Sequence, residues 1–226
     1  MTPATARALR SATFFDFDGT LADTNLVHVY AFYARHAGRR REVLGRHARL
    51  LAHVPAFYAL DAYSRVRFAR HLYSLYQGMS RDRLEHFSRR LFDEVLLPRV
   101  HSHTADLLDA ARARGPIVLV TGAADFSVRH FAEHFRFDGV IATRLEFRDG
   151  LATGRILPPE VFGANKARAM REYAREHDID LGVSAAYADG IADVSMLEAV
   201  GRAGVVNPNT RLAQLARDYQ WQILRM

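Results

Sequence analysis

The chain has 226 residues, enough for one core domain with a small insertion, and its apolar content of 49% is typical of a globular protein. It contains no cysteine, which excludes a disulfide framework, a thiolate metal site and a cysteine nucleophile. The formal net charge is +6, but the basic residues are mixed with acidic ones along the whole chain, so we expect no nucleic-acid partner. No stretch approaches the ~18 apolar residues of a membrane span and no signal-peptide pattern is visible, so we expect a cytoplasmic protein.

The first predicted element is a short apolar run that ends in two aspartates. Residues 11–22 are typical of a buried strand and a turn, with Asp16, Asp18 and Gly19 at the end of the apolar run. In open α/β sheets, ligands bind at the carboxyl ends of the strands. Two carboxylates this close repel each other unless a cation or a proton lies between them. The segment therefore predicts a site for a cation or a proton at the edge of a sheet.

The pattern changes to a helical period from residue 25 to about residue 97. Apolar residues recur there at spacings of three and four, and further helical stretches are predicted at 41–60, 63–76 and 81–96. The predicted breaks are Gly38, Pro55, Gly78 and Pro98. Helices of this kind pack as a small bundle, so residues 25–97 are predicted to form a helical insertion.

Helices and strands alternate from residue 100 onward. Strands are predicted at 117–121, 140–143, 183–188, 203–206 and 221–224, with a hairpin at 145–156 that turns at Asp149-Gly150. Helices are predicted at 103–114, 127–135, 166–177, 194–200 and 211–219. This alternation predicts an α/β fold with a parallel sheet and right-handed crossovers.

Four short motifs follow one another in a fixed order along the chain. They are Asp16-Phe17-Asp18-Gly19-Thr20, Thr121-Gly122 at a strand end, Lys166, and Asp189-Gly190-Ile191-Ala192-Asp193. The set resembles the signatures of the haloacid-dehalogenase-like (HAD) phosphohydrolases. The long gap between the first two motifs resembles the phosphoserine-phosphatase-like branch of that family. The resemblance implies a Rossmann-like core of residues 1–24 and 98–226, with residues 25–97 as a helical cap.

The resemblance also implies the chemistry, which is hydrolysis of a small phosphomonoester through an aspartyl phosphate. By match to the family motif, Asp16 is the nucleophile, which splits one hard displacement into two easier ones. Asp18 would protonate the leaving alcohol and then activate water, and a neighbouring carboxylate favours the proton that this role requires. Lys166 would place an ammonium between a carboxylate and a phosphoryl oxygen.

A magnesium site follows from the same resemblance, since Mg²⁺ prefers oxygen ligands. Asp16 and Asp189 are implied to bind it through their side chains and Asp18 through its backbone carbonyl. Asp193 would hold a metal-bound water or orient Lys166, and it could also cap the helix that follows it.

The phosphoryl group is expected to meet the Thr121 hydroxyl, the Gly122 N–H and the beginning of a helix soon after Gly122. The leaving group is expected to meet the segment 23–28, where Asn25 and His28 could hydrogen-bond a hydroxylated or neutral group. Arg65, Arg67 and Arg70 could meet a second anionic group, or they could form a solvated helix face.

Asn25 departs from the pattern of the branch. In true phosphoserine phosphatases, a glutamate near this place, nine residues after the nucleophile, holds the substrate ammonium, and Asn25 has no charge to replace it. The sequence therefore predicts that phosphoserine is not the preferred substrate.

Several alternatives remain open from the sequence alone. A phosphotransferase or mutase would use the same aspartyl phosphate with a second substrate in place of water, and a phosphoserine phosphatase proper would differ only in its leaving group. A regulatory protein that retains the scaffold without activity is opposed by the intact set of catalytic residues. The chain could be a monomer or a homodimer.

Overall fold

The computed structural model describes residues 10–36 and 38–226, so segment 1–9 of the predicted core and Ala37 lie outside the described residues. Within them, seven strands form one sheet in the order β4-β3-β2-β1-β5-β6-β7. The strands are β1 (Thr13–Phe15), β2 (Ile117–Ala124), β3 (Gly139–Arg148), β4 (Leu151–Leu157), β5 (Ala185–Ala188), β6 (Arg202–Val206) and β7 (Gln222–Leu224). Neighbouring strands are parallel except for the antiparallel pair β3–β4. The predicted α/β fold with a largely parallel sheet is confirmed.

Strand β1 lies at the centre of the sheet and is buried on both faces. Phe15 pairs in register with Leu119 of β2 on one side and with Tyr187 of β5 on the other. Phe14 packs in the cluster on one face of the sheet, and Phe15 packs in the cluster on the other. The residues that follow β1 therefore emerge at the middle of the carboxyl edge.

Four helices lie between β1 and residue 97, as the sequence predicts. They are α1 (Leu26–Arg35), α2 (Arg40–Tyr63), α3 (Arg65–Ser74) and α4 (Arg81–Leu91), and a π-helical turn (Phe92–Leu96) and a 3₁₀ turn (Leu97–Arg99) follow them. The predicted break at Pro55 is wrong, because α2 continues through this exposed proline. The chain breaks instead at Ser64, whose side chain accepts a hydrogen bond from the Arg67 N–H at the beginning of α3.

The remaining helices alternate with the strands. They are α5 (Thr104–Arg112), α6 (Asp125–His134), α7 (Ala164–Glu176), α8 (Val194–Leu197) and α9 (Thr210–Asp218), with 3₁₀ turns at Leu181–Val183 and Ile191–Asp193. The predicted short strand at 140–143 and the first arm of the predicted hairpin are one continuous strand, β3. Among the described residues, no helix combines the length and apolar character needed to cross a membrane.

Buried aromatic rings join α1 to the segment that follows α3 and to α6. Tyr30 packs edge-on against Tyr76, with ring centroids 5.1 Å apart, and Tyr33 packs against Phe126 of α6 at 5.6 Å. Helix α4 also packs along α6, and α3 packs on β4. These contacts hold the helical region beside the carboxyl edge of the sheet. Its assignment as a separate cap domain with boundaries at 25 and 97 remains a prediction.

Candidate active site

Three aspartates and a lysine converge at the carboxyl edge of the sheet. Asp16 directly follows β1 and Asp189 directly follows β5, so the parallel pairing of these strands brings the two carboxylates together. One carboxylate oxygen from each of Asp16, Asp189 and Asp193 lies within 4.8 Å of the other two. The ammonium of Lys166 on α7 lies 2.5 Å from Asp16 Oδ1 and 2.9 Å from Asp193 Oδ1. The nucleophile candidate is only 4% exposed.

Gly19 allows the two strand ends to approach. Its φ of +84° lies in the left-handed region that favours glycine. A Cβ atom at this position would lie 2.2 Å from Asp189 Oδ2. The glycine after Asp18 is therefore required both by the turn and by the carboxylate that packs against it.

Two threonines, Thr20 and Thr24, hold the aspartates through hydrogen bonds that the sequence did not predict. The Thr20 hydroxyl lies 3.2 Å from Asp16 Oδ2 and 3.0 Å from Asp189 Oδ1, so it bridges the two strand ends. The Thr24 hydroxyl donates to Asp18 Oδ1 at 2.7 Å. Thr20 is the last residue of the first motif, so its position in the motif could have indicated a role in the site. Nothing in the sequence indicates that Thr24 contacts Asp18.

Burial and like charge raise the pKa values of Asp18 and Asp189. Burial raises the pKa of Asp18 to about 6; the hydrogen bond from Thr24 opposes this shift, and the Asp16 charge adds to it. Burial, followed by the charges of Asp16 and Asp193, raises the pKa of Asp189 to about 7. With a pKa of about 6, Asp18 can both release and take up a proton near neutral pH.

Lys166 stays protonated in this environment. Burial alone would lower the pKa of its ammonium, but the carboxylates of Asp16 and Asp193 outweigh burial and raise it above its usual value. Burial raises the pKa of Asp193, and the Lys166 charge opposes that shift. The Lys166 ammonium faces a larger number of carboxylates, which is the charge pattern of a cation site. The donors are all carboxylate oxygens, which fit Mg²⁺.

The Thr121-Gly122 pair lies in the last part of β2, the strand next to β1. Thr121 is fully buried, and its hydroxyl oxygen accepts a hydrogen bond from the Ala123 N–H at 2.9 Å. Gly122 lines the same cavity as Asp16. A Cβ atom on Gly122 would lie 2.1 Å from the Phe162 ring, so the backbone packs closely there. Helix α6 begins at Asp125, soon after Gly122, as expected.

The cavity over the aspartates has a volume of about 360 Å³ and is bounded on one side by the helical region. Residues 63–65, at the junction of α2 and α3, contribute that side. The Arg65 charge favours the ionised forms of Asp18 and Asp193, because it lowers the pKa of each. Of the three arginines considered in the sequence, Arg65 lines this cavity, whereas Arg67 stacks over the Tyr63 ring and Arg70 pairs with Glu160 at 2.8 Å.

Asn25 and His28 lie beside the cavity rather than on its wall. Both are exposed and line a second cavity of about 360 Å³ between α1, α2 and α3. Arg65 lines both cavities. The Asn25 carboxamide oxygen accepts the N–H groups of Val27 and His28, each at 3.0 Å. The role of Asn25 and His28 in substrate binding stays a prediction.

A largely parallel sheet with a buried carboxylate–lysine cluster at its carboxyl edge is the arrangement expected of the α/β phosphohydrolase class to which the motifs point. The chain belongs to the haloacid dehalogenase-like hydrolase family, whose model matches residues 13–198. Phosphoserine phosphatase SerB1 of Mycobacterium tuberculosis is 30% identical over 221 residues, which cover 95% of this chain and 70% of the relative. The predicted resemblance to HAD hydrolases of the phosphoserine-phosphatase-like branch is confirmed.

Solved structures show the same fold. A Bordetella pertussis Tohama I protein described as of unknown function matches with a TM-score of 0.81 at 26% identity, covering 96% of this chain and 99% of that one. A substrate-bound phosphoserine phosphatase matches with a TM-score of 0.70 at 18% identity, covering 96% of this chain and 94% of that one. At that identity, the second likeness shows the fold alone.

Proposed function

We propose that the protein is a Mg²⁺-dependent phosphomonoesterase that acts on a small phosphorylated metabolite through an aspartyl phosphate on Asp16. The observation that carries this proposal is the convergence of Asp16, Lys166, Asp189 and Asp193 in one cavity. The named phosphatase relative supports the reaction class. Residues 25–97 would form the cap that excludes water and selects the leaving group.

In the first step, an Asp16 carboxylate oxygen attacks phosphorus, and the bond from phosphorus to the ester oxygen breaks. Asp18 gives its proton to the leaving alcohol, and its pKa of about 6 suits that exchange. In the second step, Asp18 takes a proton from water as that water attacks the aspartyl phosphate. Inorganic phosphate leaves, and both aspartates return to their starting states.

Charge neutralisation is the other requirement of phosphoryl transfer. Lys166 is held against Asp16 and would offer its ammonium to a phosphoryl oxygen. The Thr121 hydroxyl and the Gly122 N–H would hold the others. Asp16, Asp189, Asp193 and the Asp18 carbonyl would hold Mg²⁺ or its bound water, and the ion would supply positive charge to the phosphoryl oxygens.

A screen of phosphorylated metabolites with Mg²⁺, read by phosphate release, tests the activity. Asp16→Asn should lower turnover by more than about a thousandfold, because an amide does not attack phosphorus. Asp93→Asn is the matched control, since this exposed aspartate pairs only with Arg89 among the contacts of the described residues and should stay active. Phosphoserine should rank below the best substrate, because Asn25 supplies no charge for the substrate ammonium.

The covalent intermediate can be tested separately from metal binding. Acid quench during turnover, followed by borohydride reduction, would convert an aspartyl phosphate at residue 16 into homoserine, which mass spectrometry detects. Hydrolysis that persists in Asp16→Asn, or full activity after chelation, would contradict the proposal. A wild type that prefers phosphoserine to all other esters would contradict the interpretation of Asn25 alone.

A further inference from the structure

Tyr73 connects the helical region to the strand end that carries Thr121 and Gly122. It lies on α3, is 2% exposed, and its ring packs against Tyr76 and Phe162, with centroids 5.4 and 6.4 Å away. Its hydroxyl donates to the Gly122 carbonyl oxygen at 2.8 Å, across 49 positions of the sequence. A buried tyrosine hydroxyl therefore contacts the backbone at the phosphate side of the cavity.

The peptide between Gly122 and Ala123 is held on both sides. Tyr73 donates to its carbonyl, and its N–H donates to Thr121 Oγ1 at 2.9 Å. These carbonyl and N–H groups belong to one planar unit, so a bond that orients the first also orients the second. Because the Thr121 oxygen accepts the N–H, the hydroxyl hydrogen is what Thr121 has left to donate.

We propose that Tyr73 is a positioning residue: by holding the Gly122–Ala123 peptide, it aims the Thr121 hydroxyl at the phosphoryl group. Tyr73 itself does not touch the substrate. The inference rests on the proposed function, in which Thr121 binds a phosphoryl oxygen. If so, the position of α3 relative to β2, which the Tyr73–Gly122 hydrogen bond joins, affects the affinity for phosphate.

Two further observations support this role. Burial and the nearby Asp18 charge raise the pKa of Tyr73 well above its usual value, so its hydroxyl remains a donor at neutral pH. The Phe162 ring packs against both Gly122 and the Tyr73 ring, so the tyrosine is held beside the backbone group to which it donates. Hydrogen bonds that share one peptide also polarise each other, which strengthens the Thr121 hydroxyl as a donor.

Binding of inorganic phosphate in the presence of Mg²⁺, measured by calorimetry, tests the inference. Tyr73→Phe should weaken phosphate binding about threefold to tenfold, the loss expected when the Thr121 hydroxyl no longer makes a well-aligned hydrogen bond to the phosphate. Tyr30→Phe is the matched control, because its buried hydroxyl also donates to a backbone carbonyl, that of Leu75 at 3.4 Å, but within the helical region. It should bind phosphate as the wild type does, although both variants lose some thermal stability.

A double-mutant cycle tests whether the effect passes through Thr121. In a Thr121→Val background, adding Tyr73→Phe should weaken phosphate binding no further. Equal weakening in both backgrounds, or unchanged binding in Tyr73→Phe alone, would overturn the inference. If Tyr73→Phe does not fold, Tyr73→Met carries the same expectations, since methionine fills irregular apolar space. A wild type that neither binds phosphate nor hydrolyses any ester refutes the proposed function; an active wild type that is indifferent to Tyr73 refutes only this inference.

Discussion

At the scale of single residues, the Asn25 side chain caps helix α1, a structural role that is separate from its predicted role in substrate binding. Its backbone is extended, and its carboxamide oxygen satisfies the N–H groups of Val27 and His28 at the beginning of α1. The first turn of a helix leaves such donors without helical partners. An asparagine at this position therefore stabilises α1 whether or not it also meets the substrate.

Because Asn25 caps α1, replacing it with alanine and replacing it with aspartate should affect stability differently. Asn25→Ala should lower the free energy of unfolding by about 1 kcal/mol, because two backbone donors lose their acceptor. Asn25→Asp should retain the cap and add a negative charge that the helix dipole favours. Urea denaturation of the three proteins measures the difference. Equal stability of Asn25→Ala and the wild type would show that the cap contributes nothing.

At the scale of elements, sequence patterns locate helices and strands well but locate their interruptions poorly. An interior proline removes one helical hydrogen bond and crowds the preceding turn. Pro55 is exposed, so water can reach the carbonyl that loses its partner, and α2 continues. The actual break at Ser64 carries neither glycine nor proline and depends on a serine cap. Strand β2 runs past the predicted end at Thr121 because Ala124 pairs with Thr143 beyond a register shift, a tertiary feature that periodicity does not report.

In the candidate site too, some residues could be predicted from sequence patterns and others could not. Asp16, Thr121 and Asp189 could be predicted because each lies at or near the carboxyl end of a recognisable strand, and parallel strands present these ends at one edge. Arg65 and Tyr73 reach the site from α3, and no motif marks which face of that helix turns toward the sheet. The positions of both side chains depend on tertiary packing. From the sequence, Arg65 could therefore either meet an anionic group or face solvent, and no role in the site was predicted for Tyr73.

Alanine substitutions of two glycines, Gly122 near the end of β2 and Gly45 in α2, should have opposite effects on stability. Gly122→Ala should destabilise the protein by about 1–3 kcal/mol and lower activity, because its Cβ would overlap the Phe162 ring. Gly45→Ala in α2 should stabilise it by about 0.5–1 kcal/mol, because nothing lies within 4 Å of that Cβ and alanine favours helix. Thermal unfolding and phosphatase assays measure both. Adding Phe162→Leu to Gly122→Ala should recover part of the stability, and no recovery would contradict the steric explanation.

At the scale of the whole molecule, the charge of the site is opposite to the charge of the chain. The protein carries +6, yet the cavity gathers Asp16, Asp18, Asp189 and Asp193 around Lys166, the only lysine in the sequence. A basic exterior favours the approach of anionic esters. An acidic centre of this kind needs a cation or bound protons before it can receive a phosphate.

That competition between protons and Mg²⁺ predicts how stability depends on pH. The folded-state pKa values of Asp18 and Asp189 are about 6 and about 7, raised from 3.8. Between pH 3.8, the pKa in the unfolded chain, and about pH 7, the metal-free folded protein holds protons that the unfolded chain has released. Its stability should therefore fall as pH rises through this range. Under the proposed function Mg²⁺ would replace those protons, so its stabilising effect should grow with pH.

The measurement is the thermal midpoint with and without Mg²⁺ at two pH values. At about pH 5 the unfolded carboxyls are ionised while the folded ones hold protons, and at about pH 8 both are ionised. The increment from Mg²⁺ should be larger at the higher pH. Asp189→Asn is the control: it removes one of the raised carboxyls and a proposed ligand together, so both the fall in metal-free stability and the response to Mg²⁺ should shrink. An increment that is the same at both pH values would mean that the ion does not bind where these protons are held.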